Sequence, residues 1–457
     1  MKNKIINIFL WIFINSILIS GLIVHQCFAS HMYDSFDSQS TFNPVGSGAR
    51  ALGMSGAFIG VADDATAASW NPGGLIQLST SEISIVGSLS HWTESHIFDH
   101  EPKNNFSASV SDIDVNYLSI VSPTFEWFGR CMLFSLNYQH LYNFPREWDY
   151  DYFQNNKDIK AHSIKHYKQK GKLYAIGIAG CMQINKSLSL GITINIWNDL
   201  LGENGWYQTN NSLVFTKSEI FESVRHAYFE NRYAFKGLNF NIGILWDITE
   251  SLAMGAVIKT PFTADLAHRL SSVSKTQYLS STSTEVKPNY YTLYDYTLYE
   301  ELDMPMSSGI GFSYRFSEYL TLSADIHRTE WQDFILKNHQ VEYSSFISSK
   351  KEYESEVDPT HNFRFGMEYL IFNKQNRWII PVRGGIFYEQ APAEGNPNKL
   401  LGCSLGTGFS KGPYNFDIAV QYRYYTDGGQ SKILVENHSE ELNEYQLYSS
   451  FIYHFSE

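Results

Sequence analysis

From about residue 81 to its end, the chain alternates apolar and polar residues with a period of two. In Ser187–Asp199, Leu188, Leu190, Ile192, Ile194 and Ile196 fall on one face, and Ser189, Gly191, Thr193 and Asn195 fall on the other. Met132, Phe134, Leu136 and Tyr138 oppose Ser135, Asn137 and Gln139 in the same way. Leu238, Phe240, Ile242, Ile244 and Trp246 oppose Asn239, Asn241 and Gly243, and Phe416, Ile418, Val420 and Tyr422 oppose Asp417, Gln421 and Arg423. This period predicts β-strands. A strand with one apolar face and one face of Asn, Gln, Arg and Gly is what lipid outside and a polar lumen inside require.

The pattern predicts strands at about 81–90, 114–122, 131–142, 171–184, 187–199, 232–246, 251–260, 307–316, 319–332, 361–373, 378–389, 400–410, 414–425 and 444–455. The connections alternate. Those at 91–113, 143–170, 200–231, 261–306, 333–360, 390–399 and 426–443 are long, whereas Asn185-Lys186 and Ser317-Glu318 exemplify the short ones between them. Long loops at one end and tight turns at the other indicate an outer-membrane barrel with both termini in the periplasm. A soluble sandwich has strands averaging about 5–6 residues and no reason to sort its loops this way. In lipid every backbone group must be paired, so the sheet must close. The expected fold is all-β: a 14-stranded antiparallel transmembrane β-barrel over residues 81–457.

Upstream, Lys2 and Lys4 precede an apolar run from Ile5 to Val24, and Cys27-Phe28-Ala29 supplies small residues before a cut. Residues 1–29 therefore read as a signal peptide. Residues 30–80 are rich in small residues and glycine, as a plug packed inside a barrel would be. The 47 acidic residues outnumber the 34 basic ones, and loss of Lys2 and Lys4 makes the exported chain more acidic still. That balance excludes a nucleic-acid partner, which would need clustered Lys and Arg. Cys131, Cys181 and Cys403 lie too far apart in sequence for a disulfide framework or a zinc site.

The plug segment carries Ala51-Leu52-Gly53-Met54-Ser55-Gly56-Ala57, then Ala62-Asp63-Asp64-Ala65, then Asn71-Pro72-Gly73-Gly74-Leu75. In this it resembles the FadL/TodX family of outer-membrane transporters for hydrophobic compounds. Met304-Pro305, Ser323 through Phe334, Phe363 through Tyr369 and Pro381 through Tyr388 look like landmarks of the same family. The resemblance implies a 14-stranded barrel with an N-terminal plug, monomeric and without cofactor or metal. Its partners would be a hydrophobic small molecule, the bilayer with its lipopolysaccharide, and the barrel assembly machinery. It implies passive uptake of long-chain fatty acids or aromatic hydrocarbons, a shift of the plug and lateral release through the wall. Gly48, Arg50, Gly53, Asp63, Asp64, Asn71 and Pro72 are the gate candidates: Arg50 with Asp63 or Asp64 as an ion pair, Asn71-Pro72 as a latch.

Two expectations of that family find no clear match. The third strand, Cys131 to Tyr142, has no internal Gly or Pro to mark the kink used for lateral exit, and only Lys259 and His268 offer themselves to a fatty-acid carboxylate. A barrel of the same family acting as a docking or shuttle protein for secreted cargo, as PorV-type proteins do, is the alternative. Arg315, Arg364, Glu368, Arg383, Asp417 and Arg423 fall on inward faces and predict a charged lumen network. Trp206, Tyr207, Phe215, Phe221 and Tyr294 in long loops are candidates for a first contact with an apolar ligand or for a membrane-boundary belt. Ser323, Asp325 and His327 share a face but stand about 7 Å apart along a strand, too far for a triad. No residue set reads as catalytic.

Overall fold

The computed structural model describes residues 46–127, 129–155, 159–219, 221–281, 289–340, 342–395, 398–427 and 438–455. The signal-peptide expectation lies outside these residues. Fourteen strands form the ring: β1 (Glu82–Phe98), β2 (Phe106–Val121), β3 (Arg130–Asn143), β4 (Ile159–Asn185), β5 (Leu188–Trp197), β6 (Phe221–Asp247) and β7 (Leu252–Lys259). The second half comprises β8 (Ser307–Arg315), β9 (Leu320–Thr329), β10 (Thr360–Asn373), β11 (Trp378–Ala391), β12 (Asn398–Lys411), β13 (Tyr414–Asp427) and β14 (His438–His454). Each strand pairs antiparallel with the next, and β14 returns to β1 from Glu82↔His454 to Phe98↔His438. The barrel is closed.

Burial is inverted relative to a water-soluble protein. On β5, Leu190 and Ile192 are exposed while Ser189, Thr193 and Asn195 are buried; on β6, Leu238, Ile242 and Ile244 are exposed while Asn239 and Asn241 are buried. A wall built this way is stable only with hydrocarbon outside and hydrogen-bonding partners inside.

Three connections expected as loops are strands. Arg146–Asn155, Gly205–Ser218, Phe262–Ser281 and Tyr290–Met304 join the upper halves of β4 and β6 in one continuous sheet that rises from the long-loop end. β4 and β6 have 27 residues each. Such a strand is roughly 90 Å long along its own axis, against a hydrocarbon core of about 30 Å, so the excess stands clear of the membrane. Both faces of this blade meet water, so its sequence shows no lipid-facing stripe. Its base closes over the barrel mouth around a core that includes Tyr142, Phe144, Trp197, Trp206, Phe235, Trp331, Phe334 and Phe346.

Residues 46–80 lie inside the ring near the short-turn end. They form helices α1 (Ala49–Gly53) and α2 (Ala67–Trp70) and a 3₁₀ turn, Pro72–Gln77. Met54, Phe58, Ala62, Trp70 and Leu75 pack with Val121, Leu133, Ala179 and Cys181 of the wall. These helices are too short to hold themselves, so the wall defines their shape.

Candidate functional site

The plug is tied to the wall by charge on one side and by close backbone approach on the other. Arg50, projecting from α1, meets Asp63 of the plug at 2.5 Å and Glu368 of β10 at 2.9 Å. Glu368 also takes a 2.6 Å bond from Arg383 of β11, whose guanidinium reaches Asp417 of β13 at 2.6 Å. A parallel chain starts at the Ser55 carbonyl, which accepts from Arg364 at 2.8 Å. Arg364 pairs with Glu389, and Arg423 bridges Glu389 at 3.0 Å and Glu444 at 2.8 Å. Arg364, Glu368, Arg383, Asp417 and Arg423 are thus linked by ion pairs inside the ring, and two of these residues, Glu368 and Arg364, also contact the plug. Arg315 is the exception: it is exposed at the short-turn end of β8, because the lumen has ended there.

Asp64 does not join Arg50 closely, standing 4.0 Å away, and instead accepts from the Thr66 amide and hydroxyl at 2.8 and 2.6 Å. Burial pushes its carboxyl up to about 6, against the pull of Arg50 and Thr66.

On the opposite side, Asn71 donates to the carbonyls of Ile59 at 3.0 Å and of Ile244 on β6 at 2.9 Å, while its own oxygen caps Gly73 N–H at 3.0 Å. Pro72 opens the 3₁₀ turn against β5 and β6, whose backbones come close only because they present glycine. A Cβ on Gly191 would fall 2.2 Å from the Pro72 carbonyl, and one on Gly243 would fall 2.2 Å from the Asn71 side-chain oxygen. Within the plug, Gly48 has φ +107, a conformation that disfavours any side chain, and Gly53 faces Gly406 of β12.

Sequence reasoning missed two anchors. Asp325 of β9 accepts from the Phe58 and Ile59 amides at 2.7 and 2.8 Å. Ser404 of β12 accepts from the Ser55 amide at 2.8 Å and donates to the Gly53 carbonyl at 3.0 Å. Both are ordinary inward-facing strand positions, so only the plug's path singles them out. Asp325 stands 3.9 Å from His327, but its carboxylate is engaged by the plug and Ser323 donates to the Gly366 carbonyl.

The wall itself is discontinuous beside the plug. Backbone pairing between β2 and β3 covers only Tyr117–Val121 with Ser135–Gln139. Above Gln139, β3 carries a bulge at Leu141, where its register against β4 shifts between His140 and Tyr142, and the chain then swings toward β4 as Arg146–Asn155. The absence of Gly and Pro concealed this kink, because a bulge needs neither. Side chains cross the gap instead: Asn143 donates to Asp112 at 2.8 Å, and Lys172 meets Asp114 at 2.6 Å with His140 at 3.6 Å from the same carboxylate. Farther up, the Asn104 side chain clasps the Phe153 backbone at 2.8 and 3.1 Å. The result is a window bounded below by a ladder and above by that clasp.

A cavity of about 110 Å³ adjoins it. Its lining joins the plug, at Gly48, Leu52, Gly56 and Trp70, to both sides of the window, at Asn116 and at His140 through Asn143.

The ring-rich loop residues do not converge on one place. Trp206 is buried in the mouth core, 4.5 Å from Tyr233 and 5.4 Å from Phe144. Tyr207, under Arg232 at 5.1 Å, and Phe215, Phe221 and Tyr294 are spread along the blade, with Phe215 and Tyr294 exposed. Neither Lys259 nor His268 lines the cavity; His268 is held by Glu300 at 3.2 Å and Asn231 at 2.8 Å.

A family model described as BamG matches residues 56–443. The chain belongs to the BamG family. No curated protein matches it. Among solved structures, this BamG-family barrel is similar to the Pseudomonas putida toluene transporter TodX, at 13% identity and a TM-score of 0.57, over 91% of this chain and 100% of that one. The CymD monoaromatic hydrocarbon channel (15%, 0.52) and the Ralstonia pickettii toluene transporter TbuX (12%, 0.52) align over the same shares. At such identities the likeness establishes the fold, which is that of the FadL-type outer-membrane barrels.

Proposed function

We propose that this BamG-family barrel admits small hydrophobic molecules across an outer membrane, holds them beside the plug and releases them sideways between β2 and β3. The observation that carries this reading is the window in the wall, which opens on the same cavity that the plug closes from below. An apolar molecule cannot proceed straight through the lumen, because it would have to displace the ion pairs of Arg50, Arg364, Arg383 and Arg423 and leave buried charges unpaired. A lateral route avoids that cost: Ile113 and Val115 flank the window on its exposed face.

At about 110 Å³ the cavity has no room for a long chain, and Leu52, Trp70, Trp92 and Leu141 supply its apolar surface beside the polar Ser88, Asn116, Arg364 and Arg423. The solved barrels of the same fold that are described as toluene or monoaromatic channels support a single-ring substrate. The closed state corresponds to Arg50 bound to Glu368 and Asn71 bound to Ile244, and opening requires the plug to give up one or both. The test is uptake of radiolabelled toluene by intact cells with a lipopolysaccharide outer leaflet, with and without this protein; equal rates would refute the reading.

A docking role in the outer membrane is the second reading, favoured by the blade. Along Tyr290–Met304 one edge pairs with Phe262–Ser281, while the other edge pairs, among the described residues, only at Glu301–Asp303. Tyr290, Tyr291, Leu293, Tyr294 and Tyr296 are all exposed there. An open edge carrying apolar side chains is a template for a partner strand. Under that reading, Tyr291→Lys with Leu293→Pro abolishes co-purification of a partner and leaves toluene uptake as it was.

A further inference from the structure

Where the strands of the second half leave the membrane at the short-turn end, their lipid-facing side chains change character in order. Phe409 of β12, Phe416 of β13 and Phe451 of β14 lie opposite one another in the ladder and are exposed, as is Ile371 of β10. One step nearer the turns, the outward row reads Asn373, Trp378, Lys411, Tyr414 and Tyr453, each opposite the next from β10 to β14. Beyond that row, the turn between β10 and β11 carries Lys374 and Arg377, both exposed. Apolar contacts, then rings with a polar edge, then cations is the order in which a leaflet passes from acyl chains to phosphate.

Phe372, Lys374, Arg377 and Trp378 line a hollow of about 350 Å³. Asn373 holds the turn together by accepting from the Asn376 amide at 2.9 Å. Arg377 has φ +52, a left-handed conformation that a residue with a side chain adopts at a cost. Among the described residues, none of the side chains of Lys374, Arg377 and Lys411 has an acidic partner. At the long-loop end, by contrast, Lys168 pairs with Glu147 at 2.9 Å, Arg269 with Asp295 at 2.9 Å and Lys350 with Glu394 at 2.7 Å. In a chain with 47 acidic residues against 34 basic ones, three neighbouring cations without an acid point to an anion supplied from outside the chain. An aromatic belt accounts for Trp378, Tyr414 and Tyr453, but not for these charges.

We propose that Lys374, Arg377 and Lys411 bind the headgroup phosphate of an anionic phospholipid in the leaflet at the short-turn end, with Trp378 and Phe409, whose rings are 6.4 Å apart, lying along its acyl chain. Guanidinium and ammonium groups give phosphate oxygens charge-assisted donors. A zwitterionic headgroup suits the site less, because its own positive end is brought among three more positive charges. The site lies on the outer face and rim of the wall and does not depend on the uptake proposed above.

The test uses the full chain in detergent, stripped of lipid and titrated with phosphatidylglycerol or, separately, with phosphatidylcholine, while native mass spectrometry counts the lipids retained. The expected result is one phosphatidylglycerol held at a roughly tenfold lower concentration than phosphatidylcholine. Lys374→Gln, Arg377→Gln and Lys411→Gln combined, in a protein shown to migrate as a heat-modifiable barrel, should remove that preference. Lys160→Gln, Lys170→Gln and Lys186→Gln combined change the charge equally at exposed positions elsewhere and should keep it. Equal loss in both variants would mean attraction to net charge alone, and equal retention would place the lipid elsewhere; either overturns the site. Should the first variant fail to fold, native protein that binds phosphatidylglycerol no better than phosphatidylcholine would overturn it equally and leave an acidic protein segment as the ligand of these cations.

Discussion

Arg50 of the plug and Glu368 of β10 lie 2.9 Å apart, and Arg383 holds the same carboxylate at 2.6 Å, so a single wall residue links the plug to the charge chain that crosses three strands. Among the described residues this pair is the salt bridge that joins the plug to the wall.

Replacing that carboxylate by an amide of the same shape should release the plug without disturbing the ring. Glu368→Gln leaves Arg50 and Arg383 short of a charge partner, and breaking a buried pair from one side costs about 3–5 kcal/mol. The expected outcome is faster trypsin cleavage at Arg50 in the folded protein, with the heat-modifiable barrel band retained. Cleavage at the native rate would show that Arg50 does not hold the plug.

On the other side of the plug, steric fit replaces charge. A Cβ at Gly243 would meet the Asn71 oxygen at 2.2 Å, whereas one at Gly384 would find its nearest neighbour at 3.6 Å. Gly243→Val should therefore displace Asn71-Pro72 and expose the plug to protease, while Gly384→Ala should change stability by less than about 0.5 kcal/mol. Equal effects of the two substitutions on unfolding temperature would contradict the close approach.

Asp64 gives the plug a pH dependence of defined sign. Its carboxyl is raised from an ordinary value near 3.8 to about 6, chiefly by burial. Between those values the folded protein binds the extra proton, so the contribution of Asp64 to stability is full below about 4, falls as pH rises toward 6, and is lost above it. Asp64→Asn should flatten that part of the curve, read as the difference in unfolding temperature between pH 4 and pH 7. An unchanged difference would place the titration elsewhere.

How far these features could be read from sequence follows from what surrounds each segment. Lipid on one face and a polar lumen on the other force period two on the wall, which is why strands such as Leu188–Trp197 were legible nearly to the residue. Phe262–Ser281 and Tyr290–Met304 have water on both faces and carry no such signature, so their ladder was hidden. The pairing of Arg50 with Asp63 was foreseeable because both belong to one short motif-bearing segment. Asp325 and Ser404 were not, since an inward polar residue on a strand looks the same whether it faces water or a plug amide. The bulge at Leu141 escaped because apolar residues tolerate that geometry as readily as glycine does.

The lateral route proposed for the substrate runs through the window between β2 and β3, where Asp112 and Asn143 touch across the gap at 2.8 Å. Asp112→Cys with Asn143→Cys, in a chain whose Cys131, Cys181 and Cys403 are replaced by serine, allows the window to be tied shut with a short thiol cross-linker carrying a reducible bond. Toluene uptake by intact cells should fall to the level of cells lacking the protein after cross-linking and return on reduction. Uptake that continues at its full rate with the window cross-linked would contradict lateral release.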